Sequence, residues 1–113
     1  MPTLIVTYMS GPADGRTQVI EFDGITATAT IGRQDGCSVC LPTDPDASRK
    51  HARLVFRDNA WWLEDLGSAN GTFIGEFAHS HKISSAVKLS PGQIFRVGLT
   101  RLRLEDADRK SVV

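Results

Sequence analysis

Three short segments place arginine, hydroxyl and amide side chains where the local pattern predicts turns between strands: Ile31-Gly32-Arg33, Ser48-Arg49-Lys50-His51, and Ser68-Ala69-Asn70-Gly71-Thr72-Phe73. A guanidinium group binds oxyanions through a planar fork of N–H donors, and hydroxyl and amide groups add further hydrogen bonds. None of the three segments carries paired carboxylates or an activated nucleophile. The residue types therefore favour holding a phosphate group without reacting with it.

Each segment alone also fits an ordinary structural role. Gly32-Arg33 fits a solvated turn arginine, and Ser48 fits a hydroxyl that bonds its own backbone. Asn70-Gly71 between strands fits a simple hairpin turn. Only the three segments together predict an anion-binding site.

A catalytic alternative pairs Ser48 with His51 and Asp65 as a hydrolase triad. Ser48 lacks the strand-to-helix turn that exposes such a nucleophile. We therefore expect no enzymatic activity and no catalytic residue.

A metal-binding alternative rests on Cys37-Ser38-Val39-Cys40 and His79-Ser80-His81. The cysteine spacing suits a zinc site, but the histidine spacing does not. In an extended segment the two thiols would also point to opposite faces. We expect no metal and no cofactor.

The elements that must position these residues read as short strands separated by turn signals, with no sustained helical periodicity. Ala52, Leu54 and Phe56 alternate with polar residues, and the Asp58-Asn59 turn then predicts a hairpin. The predicted strands span residues 4–8, 19–22, 26–31, 39–41, 51–57, 61–66, 72–74, 93–97 and 100–105. Residues 75–87 are left without an assigned element. The pattern predicts an all-β fold of two sheets packed face to face.

The length of 113 residues suits one domain, and 41% hydrophobic with 23% charged residues is typical of a globular protein. Thirteen basic residues balance 13 acidic ones, so no global field attracts nucleic acid or an acidic membrane. No apolar run is long enough to cross a membrane, and none resembles a signal peptide. We therefore expect a cytoplasmic protein with free thiols, a domain over residues 1–105 and a flexible tail over residues 106–113.

The order and spacing of the three segments resemble the forkhead-associated (FHA) domain family. Besides Gly32-Arg33, the Ser48-Arg49-x-His51 segment and the Asn70-Gly71-Thr72 segment, the resemblance includes the Leu89-x-Pro91-Gly92-x-Ile94-Phe95 segment. It extends over most of the chain. The resemblance implies a β-sandwich of about eleven strands whose edge loops bind phosphothreonine peptides.

By the same resemblance, five residues belong to the peptide-binding surface: Arg33, Ser48, Arg49, Asn70 and Ser68. Within that set, Arg33 and Ser48 would contact the phosphothreonine, Arg49 would add charge, and Asn70 would bond the peptide backbone. Four further residues would brace the loops: Gly32, His51, Gly71 and Thr72.

The chain departs from the family pattern at two places. The position before Asn70 often carries a hydroxyl residue that also reaches the phosphothreonine, whereas here it is Ala69. After Phe73 the family often continues with an aliphatic residue and Asn, whereas this chain has Ile74-Gly75. The first departure predicts weaker binding, and the second predicts an altered loop.

The resemblance predicts a phosphothreonine-dependent interaction module whose partner is a threonine-phosphorylated protein, such as a Ser/Thr kinase or its substrate. One alternative is a phosphate-independent interaction domain of the same fold, which Ala69 favours. Another is nucleic-acid binding through Arg33, Arg49, Lys50 and Arg53, against which the balanced charge argues. We expect neither nucleic acid nor membrane as a partner.

Overall fold

A computed structural model describes residues 3–11, 14–21, 27–75 and 80–106, without the side chains of residues 21 and 106. These residues form eleven strands and no helix. The strands are β1 (Thr3–Tyr8), β2 (Thr17–Glu21), β3 (Ala27–Gly32), β4 (Val39–Cys40), β5 (Ala52–Arg57), β6 (Ala60–Asp65), β7 (Thr72–Ile74), β8 (His81–Lys82), β9 (Val87–Leu89), β10 (Ile94–Val97) and β11 (Thr100–Asp106).

The strands divide into two sheets. The six-stranded sheet has the order β2-β1-β11-β10-β7-β8, and the five-stranded sheet has the order β4-β3-β5-β6-β9. The pairs are antiparallel except for β3 with β4, which is parallel. The all-β sandwich predicted from the sequence is confirmed.

The hydrophobic core lies between the sheets and follows from the period of two in the strands. On β5, Ala52 and Leu54 are fully buried, and Phe56 packs against the core beside Trp61. Leu102 on β11 is buried as well, as the alternation predicts. The strands thus supply the apolar core, and the polar site residues lie on the loops at the ends of the sandwich.

The β5–β6 hairpin shows how local sequence sets register. Asp58 and Asn59 have φ angles of 51° and 60°, the left-handed pair that a two-residue turn between twisted strands requires. The register then places Phe56 opposite Trp61 and Val55 opposite Trp62. Trp61 is buried, whereas Trp62 lies partly exposed under the Arg57 guanidinium.

Two strands, β8 and β9, lie where the sequence predicted none. They have two and three residues, which is too short for a period of two to stand out. Each strand that the sequence predicted is present within two residues of its expected bounds. Phe22 and Thr26, at two predicted ends, lie outside the described residues.

The predicted tail boundary stays untested. Asp106 pairs with Leu4 as the last residue of β11, and residues 107–113 lie outside the described part of the chain. In the described ranges, no helix is long and apolar enough to span a membrane.

Candidate functional site

The β3–β4 turn and the loop before β5 are docked against each other at one end of the sandwich. The Arg33 N–H donates to the Ser48 carbonyl at 3.0 Å, and the Gln34 N–H donates to the Arg49 carbonyl at 3.1 Å. Gly32 makes this approach possible, because a Cβ atom there would collide with the Arg49 carbonyl oxygen. The first two sequence segments therefore form one continuous backbone surface.

Two arginines stand on this surface. The Arg33 side chain is exposed, and its Nε donates to the Ala47 carbonyl at 3.0 Å, which fixes the stem and leaves the terminal nitrogens outward. Arg49 is exposed on the neighbouring loop. Within the described ranges, neither guanidinium forms an ion pair with a carboxylate. The surface thus presents two cations whose charge is not neutralised by a carboxylate of the described residues.

Ser48 links this surface to the third segment. Its Oγ accepts a hydrogen bond from the Ala69 N–H at 3.1 Å. The hydroxyl proton is not used in that bond, because Ser48 acts there as acceptor. A hydroxyl can accept and donate at once, so Ser48 keeps a donor for an oxyanion beside Arg33.

His51 joins the loops from below and is completely buried. Its Nδ1 accepts the Ser48 N–H at 3.0 Å, so the neutral ring carries its proton on Nε2. Nε2 lies 2.8 Å from the Gly71 carbonyl and donates to it. One imidazole therefore satisfies a backbone N–H at Ser48 and a backbone carbonyl at Gly71, which lies 20 residues beyond His51 in the chain.

The turn over residues 68–71 is held by the Asp65 carboxylate. It accepts hydrogen bonds from the Gly67 and Ser68 N–H groups, from the Ser68 hydroxyl and from the Thr72 hydroxyl. The Ser68 Oγ in turn accepts the Gly71 N–H at 2.9 Å. Burial raises the pKa of Asp65, but the bonds from Ser68, Thr72 and Gly67 outweigh it, so the net pKa is lowered.

This turn is not a simple hairpin, because β6 and β7 belong to different sheets. Gly71 has a φ angle of +86°, which favours glycine, and carries the chain across. Asn70 is exposed, and its Nδ2 donates to the Asp46 carbonyl at 2.9 Å. The Asn70 Oδ1 is thereby left as an acceptor for an added backbone N–H.

Asp44 is a buried residue that the sequence reasoning missed. Its carboxylate accepts hydrogen bonds from the Asp46 N–H at 3.0 Å, the Leu99 N–H at 2.9 Å and the Thr100 hydroxyl at 2.6 Å. It therefore ties the loop before Ser48 to the β10–β11 turn, 55 residues away. The Asp44-Pro45-Asp46 segment signals the local turn but not the distant contact.

The catalytic alternative does not match this geometry. His51 contacts the backbone of Ser48 and Gly71, and Asp65 contacts Ser68 and Thr72 instead of the imidazole. The three residues of the supposed triad therefore form two separate bracing networks.

The cysteines lie under the β3–β4 turn. The Cys37 thiol donates to the Arg49 carbonyl and the Cys40 thiol to the Gln34 carbonyl. Burial, followed by the nearby Cys40, raises the pKa of the Cys37 thiol. Among the residues that the structure describes, no three His, Cys, Asp or Glu side chains group to hold a metal, and His79 lies outside them.

The four cations of the nucleic-acid alternative do not share one surface. Arg33, Arg49 and Lys50 are exposed at the docked loops. Arg53 instead lies on β5, where it forms a 2.8 Å ion pair with Glu64.

Fold and site together define a class: a β-sandwich whose end loops carry exposed arginine, hydroxyl and amide side chains. Residues 29–98 match the family model of the FHA domain. The chain belongs to the FHA domain family.

Known relatives agree with this assignment. The chain is 42% identical over 74 residues to the FHA domain-containing protein FhaB of Mycobacterium tuberculosis, covering 66% of this chain and 44% of FhaB. The chain thus spans less than half the length of that relative.

Solved structures of other FHA domains show the same fold. An FHA domain of an Arabidopsis thaliana hypothetical protein has a TM-score of 0.79 at 24% identity, covering 99% of this chain and 92% of that one. An FHA domain studied for phosphothreonine-dependent FHA interactions has a TM-score of 0.73 at 23% identity, covering 91% and 95%.

Proposed function

We propose that this chain is a phosphothreonine-dependent protein–protein interaction module. The observation that carries the proposal is the pair of exposed arginines beside the Ser48 hydroxyl, on loops that are already docked. Because Arg33 and Arg49 have no carboxylate partner among the described residues, an incoming phosphate gains their charge without breaking an existing ion pair. Two findings support this function: the chain belongs to the FHA family, and its fold matches an FHA domain studied for phosphothreonine-dependent interactions.

Each site residue takes a role in this proposal. Arg33 and Ser48 bind the phosphate oxygens, and Arg49 adds positive charge beside them. Asn70 accepts a hydrogen bond from the peptide backbone through Oδ1. Ser68, whose hydroxyl already donates to Asp65, acts as a brace for the turn.

Four further residues brace the loops in this proposal. Gly32 permits the loop approach, His51 joins the loops, Gly71 crosses between the sheets, and Thr72 anchors the turn to Asp65. These four residues preorganise the site and do not touch the ligand. Preorganisation matters because ordering loops on binding would cost affinity.

The proposed partner is a threonine-phosphorylated protein in Ser/Thr kinase signalling, either a kinase or its substrate. The proposed location is cytoplasmic, and the proposed domain covers residues 1–105. Preference for phosphothreonine over phosphoserine requires contact with the extra methyl group, which contributes about 0.8 kcal/mol when buried. Burial alone therefore gives only about a fourfold preference, and the rotamer of the bound threonine must supply more.

The test is fluorescence anisotropy with degenerate peptide pools that carry phosphothreonine, phosphoserine or unmodified threonine. A charge-assisted hydrogen bond contributes about 1.5–3 kcal/mol, so Arg33→Ala should weaken phosphothreonine binding about tenfold or more. The matched control is Arg57→Ala, an arginine on the outer face of β5 that stacks on Trp62. Equal effects of the two substitutions would contradict the proposed site.

A second candidate function is phosphate-independent protein binding, which Ala69 favours because it lacks the hydroxyl that often serves the phosphate. Under this alternative, phosphorylated and unmodified pools bind equally, and Arg33→Ala has no selective effect. Binding confined to the phosphothreonine pool excludes it.

A further inference from the structure

We propose that the outer face of the six-stranded sheet carries a second subsite, which binds an acidic segment of the same phosphorylated partner. The subsite is a row of four residues aligned across four strands: Lys82, Phe73, Arg96 and Arg101. Phe73 pairs with Lys82 and with Arg96, and Arg96 pairs with Arg101. We call these four residues the cationic row. The inference rests on the proposed function, because it extends the same peptide-binding surface.

The row faces solvent because its neighbours along the strands face the core. Phe95, Val97 and Leu102 are fully buried, and side chains alternate between the two faces of a sheet. Arg96 and Arg101 therefore point outward, where they are partly exposed.

The centre of the row is rigid. The Arg96 guanidinium stacks over the Phe73 ring at 4.1 Å from its centroid and donates to the Gly98 carbonyl at 2.7 Å. A guanidinium held by a ring face and a carbonyl keeps further N–H donors for a carboxylate.

The row begins at the proposed phosphopeptide site. A Cβ atom on Gly71 would lie 2.7 Å from the Lys82 Cε, so the lysine stem runs directly over the residue that follows Asn70. At its other end, Arg96 and Arg101 line a shallow hollow with the 58% exposed Leu99. Leu99 lies on the turn that Asp44 ties to the phosphate-binding loop.

The charge pattern of the row differs from that of nearby surfaces. On the opposite sheet, Arg53 is paired with Glu64 at 2.8 Å. In the next outward row, Arg103 is paired with Glu105 at 3.4 Å. No carboxylate among the described residues forms an ion pair with Lys82 or Arg96. Lys82 and Arg96 therefore offer positive charge that an acidic ligand would complement.

The dimensions suit an extended peptide. Neighbouring strands lie about 4.8 Å apart, so four strands place the ends of the row about 14 Å apart, and an extended chain covers that distance in about four residues. Nucleic acid is less well served, because the Arg96 guanidinium already stacks on the Phe73 ring, where a base would have to displace it. The structure thus favours a short acidic peptide segment.

The experiment compares phosphothreonine pools that carry a block of four glutamates or four glutamines, placed on either side of the phosphothreonine. At low ionic strength, the glutamate block on one side should tighten binding about three- to tenfold, the size expected of two or three exposed ion pairs. High salt should remove the difference. The double variant Lys82→Gln/Arg96→Gln should lose the gain and still bind the glutamine pool like the unmodified protein.

The matched control is Arg57→Gln/Lys88→Gln, which removes two charges from the other sheet and should keep the gain. The single variant Lys82→Gln, at an exposed position, repeats the test if the double variant does not fold. Equal binding of glutamate and glutamine pools on both sides would overturn the cationic row and leave the proposed function intact.

Two further outcomes are separable. Absence of any phosphorylation-dependent binding would overturn the proposed function itself, and the acidic subsite with it. Displacement of the glutamate pool by mixed-sequence DNA as effectively as by a glutamate peptide would show a general polyanion surface and would overturn the acidic-peptide assignment.

Discussion

Ala69 occupies the position directly before Asn70, where the family pattern often carries a hydroxyl residue. Its N–H donates to the Ser48 Oγ at 3.1 Å, while its methyl group is exposed. A larger side chain at position 69 would therefore project toward ligand without entering the core. In the proposed complex, the missing hydroxyl removes one neutral hydrogen bond to the phosphate, worth about 0.5–1.5 kcal/mol.

Ala69→Thr should restore that donor and tighten phosphothreonine binding about two- to tenfold. Ala69→Val is the matched control, because valine has the same shape without the hydroxyl. Anisotropy with the phosphothreonine pool measures both variants. An equal gain with valine would show that packing, and not a hydrogen bond, causes the change.

Asp65 shows how one carboxylate stabilises a whole turn. Burial raises its pKa, but the hydrogen bonds from Ser68, Thr72 and Gly67 prevail and hold it below its usual value. A carboxylate with a lowered folded-state pKa stabilises the fold at pH values above the unfolded pKa of about 4. That contribution is lost as the pH falls through the lower, folded-state value.

Asp65→Asn should therefore destabilise the protein at neutral pH, and the difference from the unmodified protein should shrink as the pH falls below about 4. Urea unfolding at a series of pH values measures this difference. Asp35→Asn, at an exposed carboxylate of the β3–β4 turn, serves as the control. A difference that does not change with pH would contradict the role of the charged carboxylate.

At the scale of elements, the site depends on loops that hold one another. The β3–β4 turn bonds the loop before β5 through the Arg33 and Gln34 N–H groups. His51 extends this contact to the β6–β7 turn, and Asp44 extends it to the β10–β11 turn. Each loop is therefore positioned by a neighbour that is distant in sequence.

Gly32→Ala should separate the first two loops, because the added Cβ meets the backbone carbonyl of Arg49, which cannot rotate away like a side chain. We expect the free energy of unfolding to fall by about 1–3 kcal/mol, which is typical of overpacking. We also expect phosphopeptide affinity to fall by more than the loss of folded protein alone would cause. Urea unfolding and anisotropy measure the two effects.

The control for this substitution is Gly36→Ala in the same turn. Gly36 has a φ angle of +97° but open space around its Cα, so alanine there introduces backbone strain without a collision. If both variants lose the same affinity, the loss is caused by general strain in the turn. That result would contradict a specific role for the docking of the two loops.

At the scale of the molecule, the sandwich core supplies the stability that holds the loops. Leu54 on β5 is completely buried and lies between Ala29 on β3 and Leu63 on β6. A domain of this size has a free energy of unfolding of about 5–15 kcal/mol. One core side chain therefore accounts for a considerable share of it.

Leu54→Ala should lower the free energy of unfolding by about 2–5 kcal/mol, through lost burial and the cavity left behind. The folded fraction should still bind the phosphothreonine pool normally, because Leu54 lies in the core in the middle of β5 and is not part of a site loop. Val55→Ala, on the solvent face of the same strand, is the control and should cost less. Equal costs would mean that the faces of β5 have been assigned wrongly.

Local features of the chain were sufficient to predict the sandwich and most of its strands. Alternation on β5 and the Asp58-Asn59 turn specify a hairpin without help from distant residues, because side-chain direction and φ are local properties. The arginine, serine and asparagine of the site were likewise found from residue type, order and spacing. The roles assigned to them stay predictions until binding is measured.

Only the tertiary structure decided which loops meet and through which atoms the bracing residues join them. β8 and β9 exist because neighbouring strands supply their hydrogen bonds, since two or three residues cannot form a strand alone. Asp44 meets Leu99 and Thr100 only in the folded sandwich, because 55 residues separate it from Leu99 along the chain. The cationic row also needs strand register, because residues 73, 82, 96 and 101 become neighbours only across a completed sheet.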